Sequence, residues 1–117
     1  MILITGGCGY IGSHIVKLLS EAGEQVIVYD NLSQGHKSAL LHNEELVVGD
    51  ICDPVALKYL FETHDIEIVI HMAALVNAAE SVGKSDEYER VNDLGSRRVW
   101  EAATTSGVKI FLYASSA

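Results

Sequence analysis

Apolar positions along this chain change period repeatedly. Short runs rich in isoleucine and valine occupy positions 2–4, 26–29, 46–48, 66–70 and 110–113, bounded by polar or glycine-containing stretches. Runs of that length and composition predict buried parallel strands. Between them, apolar residues recur every three or four positions. Ile11, Ile15, Leu18, Leu19 and Ala22 make one helical stripe, with Gly23 placed to end it. Asp53-Pro54 sets an N-cap acid before a proline at the first helical position. Leu57, Leu60, Phe61 and His64 then define that helix's buried face. A longer helix is predicted over about 85–105, with Tyr88, Val91, Leu94, Val99, Ala102 and Ala103 inward and Gly107 at its end. Residues 31–45 are polar, contain Gly and Ser, and predict a loop with a short helix.

Strand, helix, strand, repeated, predicts the α/β class. The expected architecture is a Rossmann-type doubly wound parallel sheet of five strands in spatial order 3-2-1-4-5, ending before any later strands. Residues 1–117 form one domain. That order sets the C-terminal tips of strands 1 and 4 side by side, and a ligand is expected in the crevice between them.

Composition narrows the classes of partner. With 49% hydrophobic and 21% charged residues, the chain is not of the disordered class. A net charge of −8, with only Arg97-Arg98 locally basic, argues against a nucleic-acid surface. No apolar run reaches the ~18–20 residues of a membrane span, and no secretory leader is visible. Cys8 and Cys52 are isolated, and the five histidines lack metal-ligand spacing. The expectation is a reduced, cytoplasmic, acidic domain with no metal.

Candidate chemistry begins at Thr5-Gly6-Gly7-Cys8-Gly9-Tyr10-Ile11-Gly12. Gly6 permits a tight turn, Gly9 lets backbone N–H groups approach a pyrophosphate, and Gly12 lets the helix pack close to the sheet. The anion would rest on a helix N-terminus, where unpaired N–H groups favour negative charge. Asp30, ending the second strand, can accept from both hydroxyls of an adenosine ribose and would repel a 2′-phosphate, which favours NAD over NADP. It could instead cap the following loop. Asp50 follows the third strand, where an adenine edge would pass. It could accept from the exocyclic amine, or serve as a turn acid before Asp53-Pro54. The fourth strand ends in His71-Met72-Ala73-Ala74, whose small Ala73 and Ala74 leave room for a flat cofactor. His71 reads as a hydrogen-bonded structural histidine and Cys8 as a space-filling residue. Ser115-Ser116 follow the fifth strand, where a nicotinamide ring would lie and a hydroxyl could bond a reacting alcohol; on the residues alone they read equally as an exposed pair with no role.

These residues, with Asp30-Asn31-Leu32 and Gly49-Asp50-Ile51, make the chain resemble the extended short-chain dehydrogenase/reductases. Within them, Glu80-Ser81-Val82, Tyr88, Asn92 and Ser115-Ser116-Ala117 are similar to the UDP-glucose 4-epimerase family. The resemblance covers the whole chain. It implies a tightly held NAD, a UDP-hexose substrate and a homodimer in the complete protein. It implies that Tyr10 and Ile11 make backbone contacts to the pyrophosphate. Asp30 and Asn31 would hold the adenosine ribose, and Asp50 and Ile51 the adenine. Asn92 would lie in the cofactor site, and Ser116 would be the catalytic serine that holds the sugar 4-hydroxyl.

The chain departs from the family at several positions. Val76 replaces a frequent lysine, Ala78-Ala79 replaces Val-Gly, and Val91 replaces an asparagine of some members. The catalytic Tyr-x-x-x-Lys motif is absent from this sequence: none of its five tyrosines has lysine four positions on, Tyr10, Tyr29, Tyr59, Tyr88 and Tyr113 being followed there by His14, Ser33, Thr63, Asn92 and Ala117. The chain alone is therefore expected to be inactive. Alternative readings are another NAD-dependent nucleotide-sugar epimerase or dehydratase, or a stand-alone, non-catalytic NAD-binding module.

Overall fold

A computed structural model describes residues 1–32, 36–42, 44–72 and 94–113. The elements follow in the order β1 (Ile2–Thr5), α1 (Tyr10–Glu21), β2 (Val26–Asp30), a single 3-10 turn (Lys37–Ala39), β3 (Glu45–Val48), α2 (Pro54–Thr63), β4 (Ile68–His71), α3 (Ser96–Thr105) and β5 (Ile110–Tyr113). The strands make one five-stranded sheet in the order β3-β2-β1-β4-β5, and every pairing is parallel. This is the expected Rossmann-type arrangement. β1 lies at its centre, paired with β2 and β4, so Thr5 stands level with both Tyr29 and His71.

Alternate strand residues feed two cores, as period-two geometry requires. Leu3, Ile27, Tyr29 and Val69 pack with α2 and α3 through Leu57, Leu60, Phe61, Val99 and Ala103. Ile2, Ile4, Val26 and Val28 pack on the other face with Val16 of α1, Cys8 and Met72. Asp53 caps α2 as expected, its Oδ1 accepting from the N–H groups of Val55 and Ala56 at 3.0 and 3.2 Å.

Several expectations change. The buried stripe of α1 is centred on Gly12 and Val16, with Ile15 and Leu19 packed beside it, whereas Ile11 and Leu18 are 54% and 67% exposed. The reason is Gly12: a Cβ there would stand 2.2 Å from the Gly6 oxygen, so the helix turns its glycine, not its larger neighbours, against the glycine turn. β3 and β5 are not fully buried, because among the described residues each is an edge strand of the sheet. The fourth strand runs two residues later than expected at its start, from Ile68. The described part of the third helix begins with one wider turn at Leu94-Gly95 and continues as Ser96–Thr105. Residues 85–93 of the expected long helix, including Tyr88 and Val91, lie outside the described residues. His64 is the C-cap of α2 rather than part of its buried face.

Candidate functional site

The site forms at the C-terminal tips of β1, β2 and β3. After Thr5 the chain turns through Gly6, whose φ is 74°, and enters α1 with Gly9 as N-cap. The Gly9 amide donates to the Gly6 carbonyl at 3.1 Å and the Ser13 amide to the Gly9 carbonyl at 2.9 Å. A Cβ on Gly12 would stand 2.2 Å from the Gly6 oxygen, so turn and helix close together only with glycine there. Gly9 has no side chain to cap this N-terminus, and among the described residues no other side chain does so. The first-turn N–H groups of Tyr10, Ile11 and Gly12 have no acceptor within the helix, and the Tyr10 side chain is 82% exposed at the mouth of the turn. A cradle of N–H groups at the positive end of a helix dipole is suited to a pyrophosphate.

Asp30 is buried beside this cradle. Its Oδ2 accepts from the Cys8 amide at 2.9 Å, and its Oδ1 from the Leu32 amide at 2.7 Å. The carboxylate therefore ties the glycine turn to the tip of β2. The loop-cap reading of Asp30 is correct as far as it goes, since the Leu32 bond holds that residue at φ 63°, a left-handed conformation uncommon for leucine. Each oxygen accepts one of these bonds and has a second lone pair for a ribose hydroxyl. Asn31 follows, exposed at the same tip. The Cys8 side chain is buried in the turn, and burial together with the nearby Asp30 charge pushes its thiol up to about 11. It fills space as expected and is not a thiolate.

Asp50 and Ile51 form the turn after β3. Asp50 Oδ1 accepts from the Cys52 amide at 2.8 Å, so it is a turn acid as well as an exposed carboxylate. Ile51 is buried against the opening of α3, where a Cβ on Gly95 would fall 2.4 Å from Ile51 Cδ1. Ala73, Ala74, Asn92 and Ser116 lie outside the described residues.

Sequence reasoning missed the partners in three hydrogen bonds. The hydroxyl of Tyr29 donates to the Asp50 carbonyl at 2.8 Å. At the base of the crevice, His71 meets Thr5 Oγ1 through Nδ1 at 2.7 Å and Ser96 Oγ through Nε2 at 3.0 Å. The first two were within reach of the sequence: a tyrosine in a buried strand needs a hydroxyl partner, and the parallel order places Thr5 beside His71; the Ser96 bond, from a distant helix, was not.

A parallel 3-2-1-4-5 sheet with a glycine turn and a strand-end acid defines the Rossmann-type α/β class. The chain belongs to the NAD dependent epimerase/dehydratase family, whose model matches residues 2–117. It is 45% identical to the UDP-glucose 4-epimerase of Halalkalibacterium halodurans over 99% of this chain and 34% of that protein. The crystal structure of Thermotoga maritima UDP-glucose 4-epimerase with UDP-glucose matches with a TM-score of 0.90 at 39% identity, over 96% of this chain and 36% of that one. The Brucella ovis UDP-glucose 4-epimerase in complex with NAD matches with a TM-score of 0.88 at 38% identity, over 96% of this chain and 34% of that one. The chain thus spans about a third of the length of these relatives.

Proposed function

We propose that this chain is the NAD-binding portion of a UDP-glucose 4-epimerase, which interconverts UDP-glucose and UDP-galactose through a 4-keto sugar. The observation that carries the reading is the buried Asp30 carboxylate bonded to the glycine turn beside an uncapped helix N-terminus. The cradle fits the cofactor. Tyr10, Ile11 and Gly12 N–H groups would hold the pyrophosphate, Asp30 and Asn31 the adenosine ribose, and Asp50 with Ile51 the adenine. Gly6 and Gly9 let the backbone approach, and Ala73, Ala74 and Asn92 would belong to the cofactor site. When bound, NAD supplies the hydride acceptor and donor. Ser116 would hold the sugar 4-hydroxyl. General-base chemistry needs a group tuned near neutrality, and without a Tyr-x-x-x-Lys motif this chain alone binds cofactor but does not turn over. In the complete protein the same reading implies a UDP-hexose substrate, a cytoplasmic location and a homodimer.

Calorimetry with NAD and NADP tests the assignment. The negative, buried Asp30 should exclude a 2′-phosphate, so NAD should bind at least about tenfold more tightly, a gap of about 1.4 kcal/mol. Equal affinities would refute the role given to Asp30.

A further inference from the structure

Tyr29 and Asp30 are neighbours on β2, and the alternation of a strand sends them to opposite faces of the sheet. Asp30 turns to the glycine turn on the α1 side. Tyr29 turns to the α2 and α3 side, where it is fully buried in the core. Its hydroxyl reaches along the sheet to the loop that leaves β3. There the Asp50 carbonyl accepts from Tyr29 at 2.8 Å and from the Asp53 amide at 3.0 Å. The loop lies directly on the ring. A Cβ on Gly49 would stand 2.4 Å from the Tyr29 hydroxyl oxygen and 2.7 Å from the ring carbon that bears it. Gly49 also donates its N–H to the Asp30 carbonyl at 3.1 Å. The turn 49–51 is thus fixed at its carbonyl by Tyr29, at its amide by β2, and at its far end by Ile51 packed on Gly95.

We propose that Tyr29 is a positioning residue for adenine recognition, holding the Asp50 carboxylate and the Ile51 amide in the one arrangement that matches a 6-amino base. The proposal rests on the dinucleotide reading above and adds to it a source of base specificity. A carboxylate only accepts, so it pairs with the amino group of adenine and meets the 6-oxo group of hypoxanthine with no hydrogen between them. That discrimination holds only while the turn cannot swing the carboxylate away. A carbonyl anchored from inside the core, by a hydroxyl that cannot rotate out, supplies the restraint. Burial, with Asp53 and Asp50 nearby, also pushes the phenol up to about 12, so the donor stays protonated.

The 117-residue chain and its Tyr29→Phe variant would be titrated calorimetrically with NAD, with nicotinamide hypoxanthine dinucleotide and with nicotinamide mononucleotide. Phenylalanine keeps the ring in the core, and the Asp50 carbonyl keeps the Asp53 amide, so the variant should fold. The wild type should prefer NAD over the hypoxanthine dinucleotide by about tenfold, the scale of one well-placed charged hydrogen bond. Tyr29→Phe should cut that preference to about twofold or less, by weakening NAD alone. Affinity for the mononucleotide, which carries no purine, should not change. Amide NMR supplies a second reading: the Ile51 and Cys52 resonances should broaden in the variant while those of Tyr10 and Ile11 stay in place. An unchanged preference, or an equal loss for both dinucleotides, overturns the role of Tyr29 while leaving the NAD assignment standing. A wild type that binds neither dinucleotide overturns the functional reading and this inference together.

Discussion

At the scale of single residues, the crevice is built by buried polar groups, and their protonation sets its limits. His71 is fully buried between Thr5 Oγ1 and Ser96 Oγ, hydroxyls that can each donate or accept, so a neutral ring is satisfied in either tautomer. Thr5 Oγ1 also accepts from the Met72 amide at 3.0 Å, which ties the tip of β4 to that of β1. Burial pushes the His71 imidazole from its ordinary 6.5 down to about 4. An unfolded chain takes up that proton near 6.5 and the folded chain does not. Stability from this site is therefore full above pH 6.5, falls as pH drops through the interval, and is exhausted below about 4. The whole interval is worth about 3 kcal/mol. Proton NMR should find the His71 ring still neutral at about pH 5, and a midpoint near the ordinary value would refute the assignment. Asp30 makes a second case. Its oxygens serve two different amides, and an asparagine can offer an acceptor to only one of them. Asp30→Asn should cost about 1–3 kcal/mol in urea unfolding even without ligand.

At the scale of elements, the strands and caps are legible because they follow from local chemistry, and the strand order because repeated strand–helix–strand units admit few topologies. Asp53-Pro54 starts α2 where expected, and the Val- and Ile-rich runs are strands. The roll of α1 was not legible. Periodicity weighs Ile11 and Leu18 as core because they are large, while tertiary packing selects Gly12 and Val16 because they are small enough for close approach. Gly12→Ala therefore tests the fold more sharply than any change at Leu18. Its methyl would meet the Gly6 carbonyl at 2.2 Å, so the thermal midpoint should fall by several degrees, whereas Leu18→Ala should be near neutral. Glu45 and His64 were also illegible as a pair, because nothing local links the start of β3 to the end of α2. His64 Nε2 lies 2.6 Å from Glu45 Oε2, and its Nδ1 meets the Leu60 carbonyl at 3.0 Å. Partial burial alone would lower the His64 pKa, but the Glu45 carboxylate and the Leu60 carbonyl together raise it above 6.5. The sign is opposite to that of His71. This stabilisation is complete below pH 6.5 and is lost as pH rises through the raised folded value. Glu45→Gln should flatten the decline in urea midpoint on the alkaline side and leave the acid side to His71.

At the scale of the whole molecule, the two faces of the sheet are covered unequally among the described residues. α2 and α3 cover one face, with Phe111 of β5 packed against that core. On the other face α1 packs over β1 and β2. Ile68 and Ile70 of β4 stand level with Ile110 and Leu112 of β5, and the last two are each about half exposed, at 48% and 52%. β5 pairs only with β4 among the described residues, so an apolar strip borders an open strand edge. Exposed edges of that kind recruit other chains. The opposite edge is better guarded. β3 begins with Glu45, held by His64, and the preceding Glu44 accepts from Ser20 of α1 at 2.9 Å. Association should therefore run through β5, and the net charge of −8 should oppose it. At low ionic strength the 117-residue chain should sediment as a monomer, and salt should favour a dimer by screening, since the Debye length falls from about 30 Å at 0.01 M to about 10 Å at 0.1 M. Leu112→Lys places a charge on the strip without touching either core and should restore the monomer at every salt concentration. Sedimentation independent of salt and concentration, or a dimer that survives Leu112→Lys, would move the contact away from this edge.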